Sequence, residues 1–494
     1  MTRHVVVVGY GMAGARLVEE LRERDDRLRI TVLGAEERPA YNRVLLSSVL
    51  AGSLPPDAIR LHDPEWAATH GVDVRIGARV TGIDRDTRLV TVSSGGRDGA
   101  VGYDVLVLAT GSTPWLPPTA GLTGAGGRPA DGVVAFRTVA DCEAILRTSG
   151  RVVVLGGGLL GLEAARGLAG RGRDVTVVHP GGHLMERQLD AGAGRVLGRT
   201  LAGLGVTVRL GVLATRYDAE ARGVELDDGS FLPADLVVVA TGVRPEVALA
   251  RQAGLAVEHG VLVDDRMRSV TDVRVRAIGE CAEHRGTVHG LVQPAWEQAT
   301  VVADLLTGAD PAALYTGSRT VTRLKARDVD LAAMGDTPGL DDDPATGLEA
   351  VQLADPSRGR YAKVVLRDDR VVGAVVLGFP EAAARLTQLY DGDLPAPSDR
   401  LALLVGTAPH ETDSPAQLPD RAVVCRCNTV TKGQLTAAWS AGARSVEALA
   451  DATRATTGCG GCSDAVRGIA DWLGAADPAD GAADTRQDIT EGAA

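Results

Sequence analysis

One pattern occurs twice in this chain and constrains its fold more than any other feature. HVVVVGYGMAG, His4 to Gly14, and RVVVLGGGLLG, Arg151 to Gly161, each place four consecutive apolar residues ahead of a GxGxxG turn. A run apolar throughout reads as a strand buried on both faces of a parallel sheet. The glycines at 9, 11 and 14, and again at 156, 158 and 161, suit a tight turn, close approach of a pyrophosphate to the backbone, and close packing of the helix that follows. The helix N-terminus then offers free N–H groups to phosphate. A lone GxGxxG is equally an ordinary glycine-rich turn. Here the surroundings repeat as well. A second strand follows each turn, RITVLGAEE (Arg29 to Glu37) and RDVTVVHP (Arg173 to Pro180), and a later strand closes each unit, LVLATG (Leu106 to Gly111) and VVVATG (Val237 to Gly242). The chain thus reads as two dinucleotide-binding folds, holding two nucleotide cofactors face to face.

A length of 494 residues exceeds one core and suggests three or four domains. A net charge of −12 with 3% aromatic residues argues against nucleic acid as a partner and leaves room for a basic protein. The N-terminal apolar run is one strand long, lacks a cleavage region, and no window reaches the length of a membrane span. The expectation is a cytoplasmic protein without membrane contact; the oligomeric state is left open. Of six cysteines, Cys142 and Cys281 stand alone and read as small core residues, whereas Cys425, Cys427, Cys459 and Cys462 form CxC, a gap able to hold helices, and CxxC. Without an export signal, such clustering favours metal or redox chemistry over disulfides. Four thiolates at this spacing suit an iron–sulfur cluster, and a structural zinc ion remains the alternative.

Along the chain, Glu36 is placed to meet an adenine ribose, with Glu37 as the fallback, and Arg43 to pair with a phosphate. Residues 1–120 and 246–312 read as two parts of the first nucleotide domain and 121–245 as the second. Residues 313–390 read as a small antiparallel α+β domain with a hairpin about Asp368 and Asp369. A proline-rich stretch, 391–420, reads as a linker, 421–475 as the cysteine module, and 476–494 as a disordered tail.

GYGMAG, AYNRVLLSSVLAG, LATGSTPW, GGGLLGLE, ATGVRP and AIGECAEHRG, spread over about Val5 to Gly378, together resemble the flavoprotein pyridine nucleotide-disulfide oxidoreductase superfamily. The branch is the one shared by rubredoxin reductases and the flavin half of NAD(P)H-dependent nitrite reductases. GGGLLGLE followed by HLMERQLD points to nitrite and nitrate reductase relatives. The cysteine module resembles the [2Fe-2S] domain of bacterioferritin-associated ferredoxin.

The resemblance implies an α/β fold of two Rossmann-like domains, a small α+β reductase domain and a small helical [2Fe-2S] domain. It assigns FAD to Gly9, Gly11, Met12, Ala13, Gly14, Glu36, Arg43, Val80, Thr110, Gly111, Gly279, Glu280, Val292 and Lys325. It assigns NAD(P)H to Gly156, Gly158, Leu159, Leu160, Gly161, Glu163, His179 and Gly242, with Glu163 near the nicotinamide, and a [2Fe-2S] cluster to the four clustered cysteines. Read without it, Glu163 is an early helix acid and Lys325 a solvated strand lysine.

Three departures stand out. Relatives often carry lysine after the Leu-Ser of this region, but Leu46 and Ser47 are followed by Ser48, which leaves Glu163 without its usual partner. His179 stands where an acid would accept ribose hydroxyls, so NADH and NADPH both remain open, with Arg187 or Arg173 available for a 2′-phosphate. No close cysteine pair accompanies the flavin motifs, so electrons need another exit. The implied function is an NAD(P)H-dependent FAD/[2Fe-2S] oxidoreductase passing electrons to a partner, first of all an assimilatory nitrate reductase. Alternatives are a nitrite reductase donor subunit, a rubredoxin or ferredoxin reductase, or, in a different class, a flavin-based redox sensor or iron-handling module. Nitrite reductase large subunits continue into a sirohaem and [4Fe-4S] region with further cysteines, so this chain is not expected to reduce nitrite itself.

Overall fold

The structure, a computed structural model, describes residues 3–335, 337, 345–405, 418–425, 428, 430–457 and 462–476. The chain divides into two compact units, Met1–Thr407 and Ala408–Ala494.

The first unit contains two five-stranded parallel sheets built to one plan. In the first, His4–Val8 lies at the centre between Arg29–Leu33 and Val105–Leu108, with Asp73–Arg75 and Val275–Ala277 at the edges. In the second, Val152–Leu155 lies between Val175–His179 and Leu236–Val239, with Val206–Leu210 and Val133–Ala135 outside. Each glycine-turn strand is therefore flanked by its own second strand and its own ATG strand. Val5, Val6 and Val7 are fully buried, as the continuous apolar run requires. Helices Met12–Arg24 and Val292–Thr307 pack together beside the first sheet through Leu17, Leu21, Ala299 and Val302. At roughly 1.5–3 kcal/mol for each fully buried large aliphatic side chain, this apolar core is the main stabilising term.

The duplication has a steric origin. A Cβ at Gly9 (φ +110°) would lie 2.1 Å from the carbonyl oxygen of Ala109, and one at Gly156 (φ +116°) would lie 2.4 Å from that of Ala240. The alanine of each ATG strand thus rests on the first glycine of its turn. Helix packing is as close: Cβ atoms at Gly14 and Gly161 would lie 2.1 and 2.0 Å from the carbonyl oxygens of Gly9 and Gly156. Glycine is the residue that fits all four places.

The first unit also holds a five-stranded antiparallel sheet, in the order Val321–Ala326, Val329–Gly335, Arg370–Leu377, Arg360–Arg367, Leu348–Asp355. Asp368 and Asp369 make its hairpin turn in left-handed backbone, φ +49° and +60°. The stretch read as a linker begins differently from that expectation. Helix Pro380–Gly392 runs into it, and helix Arg400–Val405 buries Leu403 and Leu404 completely, while Arg400 pairs with Glu349 and Asp369. These residues belong to the packed sheet domain because the short helix carries its own apolar pair.

In the second unit, Val423–Cys425 pairs with Val430–Thr431, and helices Lys432–Ser440, Val446–Thr453 and Ser463–Ala476 follow. The gap between the cysteine pairs holds two helices, the first opened by a Thr431/Gln434 capping box. The expected disordered tail lies outside the described residues beyond Ala476. Among the described residues no helix is long and apolar enough to cross a membrane.

Because a Cβ at Gly161 meets backbone and one at Gly158 meets nothing within 4 Å, the two positions separate packing from binding. Gly161→Ala is expected to lower the unfolding free energy by about 1–3 kcal/mol, and Gly158→Ala to leave it within about 0.5 kcal/mol, in denaturant titrations. Equal effects would contradict the steric account.

Candidate active site

The first glycine turn opens helix Met12–Arg24 with Gly11 as N-cap and no side-chain cap, so its leading N–H groups are left for a ligand. Met12 and Ala13 form the first helical residues, and space above Gly11 is bounded by Arg43 Nε, 4.0 Å from a Cβ at that glycine. Arg43 pairs with Glu36, whose other oxygen accepts a 2.8 Å hydrogen bond from Tyr41. Glu36 and Arg43 are therefore brought together at the turn, while Glu37 is exposed. Val80 is half-buried beside a bulge in strand Ala78–Asp84, and Val292 opens helix Val292–Thr307.

Gly279, at φ +76°, approaches the same helix. Its Cβ would lie 3.1 Å from that of Ala13, and its N–H donates to Gln298 at 2.7 Å. Glu280 beside it accepts from Ser112 and from Arg137, and Thr110 donates to the Glu246 carbonyl at 2.7 Å behind Gly111. Arg137 was missed in the sequence. Its signal is the capping box of Thr138 and Asp141, which anchors the residue before the helix through a 3.0 Å bond from the Arg137 N–H to Asp141.

The second turn repeats the plan, with Gly158 as the uncapped N-cap of Leu159–Ala169 and nothing within 4 Å of its missing Cβ. Leu159 and Leu160 lead the helix, and Gly242, at φ +112°, accepts from the Trp115 N–H at 2.9 Å. Glu163 on this helix is 2% exposed. The expectation that it lacks a partner is corrected: Lys325 Nζ lies 3.3 Å from its Oε1, and the Lys325 N–H donates to the same oxygen at 2.9 Å. The cation absent after Ser47 comes instead from the antiparallel sheet, 162 residues away. Lys325 is accordingly no solvated strand lysine. The helix Leu46–Ala51 packs on Leu159–Ala169, so the two glycine-turn domains meet beside Ser48.

Arg173 donates through Nε to the Gly150 carbonyl at 3.0 Å and through Nη1 to the Thr148 carbonyl at 2.6 Å, whereas Arg187 is exposed. His179 ends the second strand, buried, with its Nδ1 accepting from the Gly157 N–H at 3.2 Å.

Cys142 and Cys281 are fully buried, and burial pushes both thiols up, Cys142 to about 12, so neither is a thiolate at neutral pH. In the second unit, Cys425 and Cys462 share one apolar cluster with Leu435, Trp439, Leu449 and Val466. Cys427 and Cys459 lie outside the described residues. Asn428 donates to the Arg454 carbonyl and to Thr457, tying the residue after CxC to the loop that leads into CxxC.

Comparison with known proteins decides what these turns belong to. Residues 3–300 match the pyridine nucleotide-disulphide oxidoreductase family. The chain belongs to that family. Residues 321–391 match the rubredoxin NAD+ reductase C-terminal domain and 423–472 the BFD-like [2Fe-2S] binding domain. The chain is 37% identical over 476 residues to the nitrite reductase [NAD(P)H] of Bacillus subtilis (strain 168), covering 94% of this chain and 57% of that one. It is 35% identical over 480 residues to the assimilatory nitrate reductase electron transfer subunit of the same organism, covering 95% and 60%. It thus spans less than two thirds of either relative. Among solved structures, the reductase of the covalent putidaredoxin reductase–putidaredoxin complex matches with TM-score 0.71 and 28% identity, covering 80% of this chain and 94% of that one.

The pyridine nucleotide-disulphide oxidoreductase domain implies FAD and NAD(P)H as cofactors, and the BFD-like domain implies a [2Fe-2S] cluster. The residues fit these groups. Both turns leave open space and uncapped N–H groups for a diphosphate, and Cys425 and Cys462 converge in one buried cluster.

Breaking the Glu163–Lys325 pair leaves a buried charge. Lys325→Met is expected to cost about 3 kcal/mol in denaturant unfolding, part of which Glu163→Gln in the same chain restores; strictly additive effects would contradict the pairing. Burial also holds the imidazoles of His4, His179 and His289 below their ordinary value. Each binds its proton less readily folded than unfolded, so this contribution is complete above the unfolded pKa of about 6.5 and is lost as pH falls below it. Unfolding free energy should therefore decline from about pH 7.5 to about pH 5.5, and a rise over that window would contradict the burial argument.

Proposed function

We propose that this chain is the electron-transfer component that oxidises NAD(P)H and delivers electrons to a partner reductase, an assimilatory nitrate reductase before others. The observation that carries the reading is the combination, in one chain, of two nucleotide turns with a four-cysteine module. The same span is 35% identical to a nitrate reductase electron transfer subunit across 95% of this chain. Delivery to a nitrite reductase is the second reading, favoured by the 37% identity to such an enzyme.

When bound, FAD supplies hydride acceptance and one-electron release, and the cluster supplies a one-electron station. The chain's part is positioning. Gly9 to Gly14 and the helix behind them receive the FAD diphosphate, Arg43 offsets its charge, Glu36 takes the adenosine ribose, and Val80 meets the adenine through its backbone. Glu280, held by Ser112 and Arg137, takes the ribityl chain. Gly156 to Gly161 receive the nicotinamide nucleotide, and Glu163, its charge held by Lys325, lies at the nicotinamide end. No side chain is assigned as acid, base or nucleophile. The buried, protonated Cys142 and Cys281 support an exit through Cys425, Cys427, Cys459 and Cys462 rather than through a disulfide.

Cys425→Ser and Cys459→Ser are expected to leave NAD(P)H-dependent dye reduction nearly intact and to abolish reduction of the partner. Equal loss of both activities would contradict a linear path. Slow turnover with every artificial acceptor would favour the sensor class instead.

A further inference from the structure

The first glycine turn carries a tyrosine, Tyr10, between Gly9 and Gly11, and its hydroxyl opens a chain of three side chains. Tyr10 Oη lies 2.7 Å from Nδ1 of His62, and His62 Nε2 lies 2.6 Å from Oε1 of Glu19 on helix Met12–Arg24. A carboxylate only accepts, so the ring proton sits on Nε2 and Nδ1 is left to accept from Tyr10. Burial and the nearby Glu19 push the Tyr10 hydroxyl up to about 12, so it keeps the proton it donates. His62 is 6% exposed, and Trp66 stacks on its ring with centroids 3.9 Å apart and planes 5° apart.

The chain of bonds joins three separate pieces of backbone in the first glycine-turn domain. Tyr10 stands on the turn, Glu19 on the helix behind it, and His62 just after Leu61. The segment ending at His62 lies along the one that carries Arg43. The Leu61 N–H donates to the Ala40 carbonyl at 2.9 Å, the Asn42 N–H donates to the Ile59 carbonyl at 2.7 Å, and Tyr41 bridges Arg60. Ala15, Ala40 and Leu61 form a small apolar cluster against Tyr10 and Met12. Tyr10 is held from another side too, since a Cβ at Gly34 would lie 3.0 Å from its own Cβ. Helix Met12–Arg24 has no side-chain cap at its start, so the grip on Tyr10 helps to fix where the leading N–H groups point.

We propose that His62 is a positioning residue for FAD: oriented by Glu19, it holds Tyr10, and with it the first glycine turn, in the conformation that receives the diphosphate. The same ring draws the Arg43 segment onto the turn, so the backbone donors and the guanidinium are set together. Order present before binding is order that FAD does not have to impose, and the effect is therefore read in FAD affinity. The proposal rests on the assignment of Gly9 to Gly14 to FAD.

The test is a double-mutant cycle on the full chain, stripped of FAD and titrated with FAD by quenching of flavin fluorescence, beside denaturant unfolding of the same apoproteins. Tyr10→Phe and His62→Phe keep the rings and remove the hydrogen bond between them. Each is expected to weaken FAD binding about tenfold, and the double variant by about the same factor rather than about 100-fold. His62→Asn puts Oδ1 where Nδ1 stands, so it is expected to recover most of the affinity when Tyr10 is present and none when combined with Tyr10→Phe. A latch with a structural role alone would lower apoprotein stability and leave FAD affinity within about twofold. That result, or effects that multiply in the double variant, overturns the proposal. Gly11→Val separates this from failure of the underlying assignment: loss of FAD binding supports that assignment, and undiminished FAD binding removes it and the proposal with it.

Discussion

The carbonyl oxygen of Ala109 lies where a side chain on residue 9 would have to be, and that of Ala240 stands in the same relation to residue 156. The rest of the first unit depends on these two contacts. They bring each ATG strand against its glycine turn, fix the central strand between its two neighbours, and allow Gly14 and Gly161 to pull their helices onto the sheets. The helix N-termini without a side-chain cap are a consequence of that packing. Glycine turn and ATG strand recur together because they are two sides of one steric contact.

The antiparallel sheet packs against the helices of the second glycine-turn domain. Lys325 from its first strand neutralises Glu163, Tyr361 donates to Asp190 at 2.6 Å, and Thr337 donates to the Gln188 carbonyl at 2.9 Å. Arg166, on the same helix as Glu163, pairs with Asp328 at 2.6 Å. A carboxylate as buried as Glu163 is costly to ionise without a cation and a hydrogen bond, and the sheet provides both. This gives the antiparallel sheet a direct electrostatic role toward the helix that follows the second glycine turn.

Both parallel sheets were legible because continuous valine runs and glycine spacing report burial and turn geometry locally. The antiparallel hairpin at Asp368 and Asp369 was legible for the same reason. The partner of Glu163 was not, since the segment expected to supply it carries Ser48 and the cation that replaces it is distant in sequence. Helix Arg400–Val405 was hidden because a six-residue helix among prolines has too little periodicity to stand out from a linker. Arg137 escaped because its capping box looks like any other helix start, and only the fold turns its guanidinium toward Glu280.

On the function proposed above, electrons taken from NAD(P)H leave this chain for a partner nitrate reductase. The most direct measurement is anaerobic stopped-flow mixing of the nucleotide-reduced protein with the catalytic subunit of an assimilatory nitrate reductase and nitrate, following flavin and cluster absorbance together with nitrite formed. Both chromophores are expected to reoxidise in step with nitrite production, at a rate that rises with partner concentration. Chromophores that stay reduced beside an active, dye-competent nitrate reductase would contradict it.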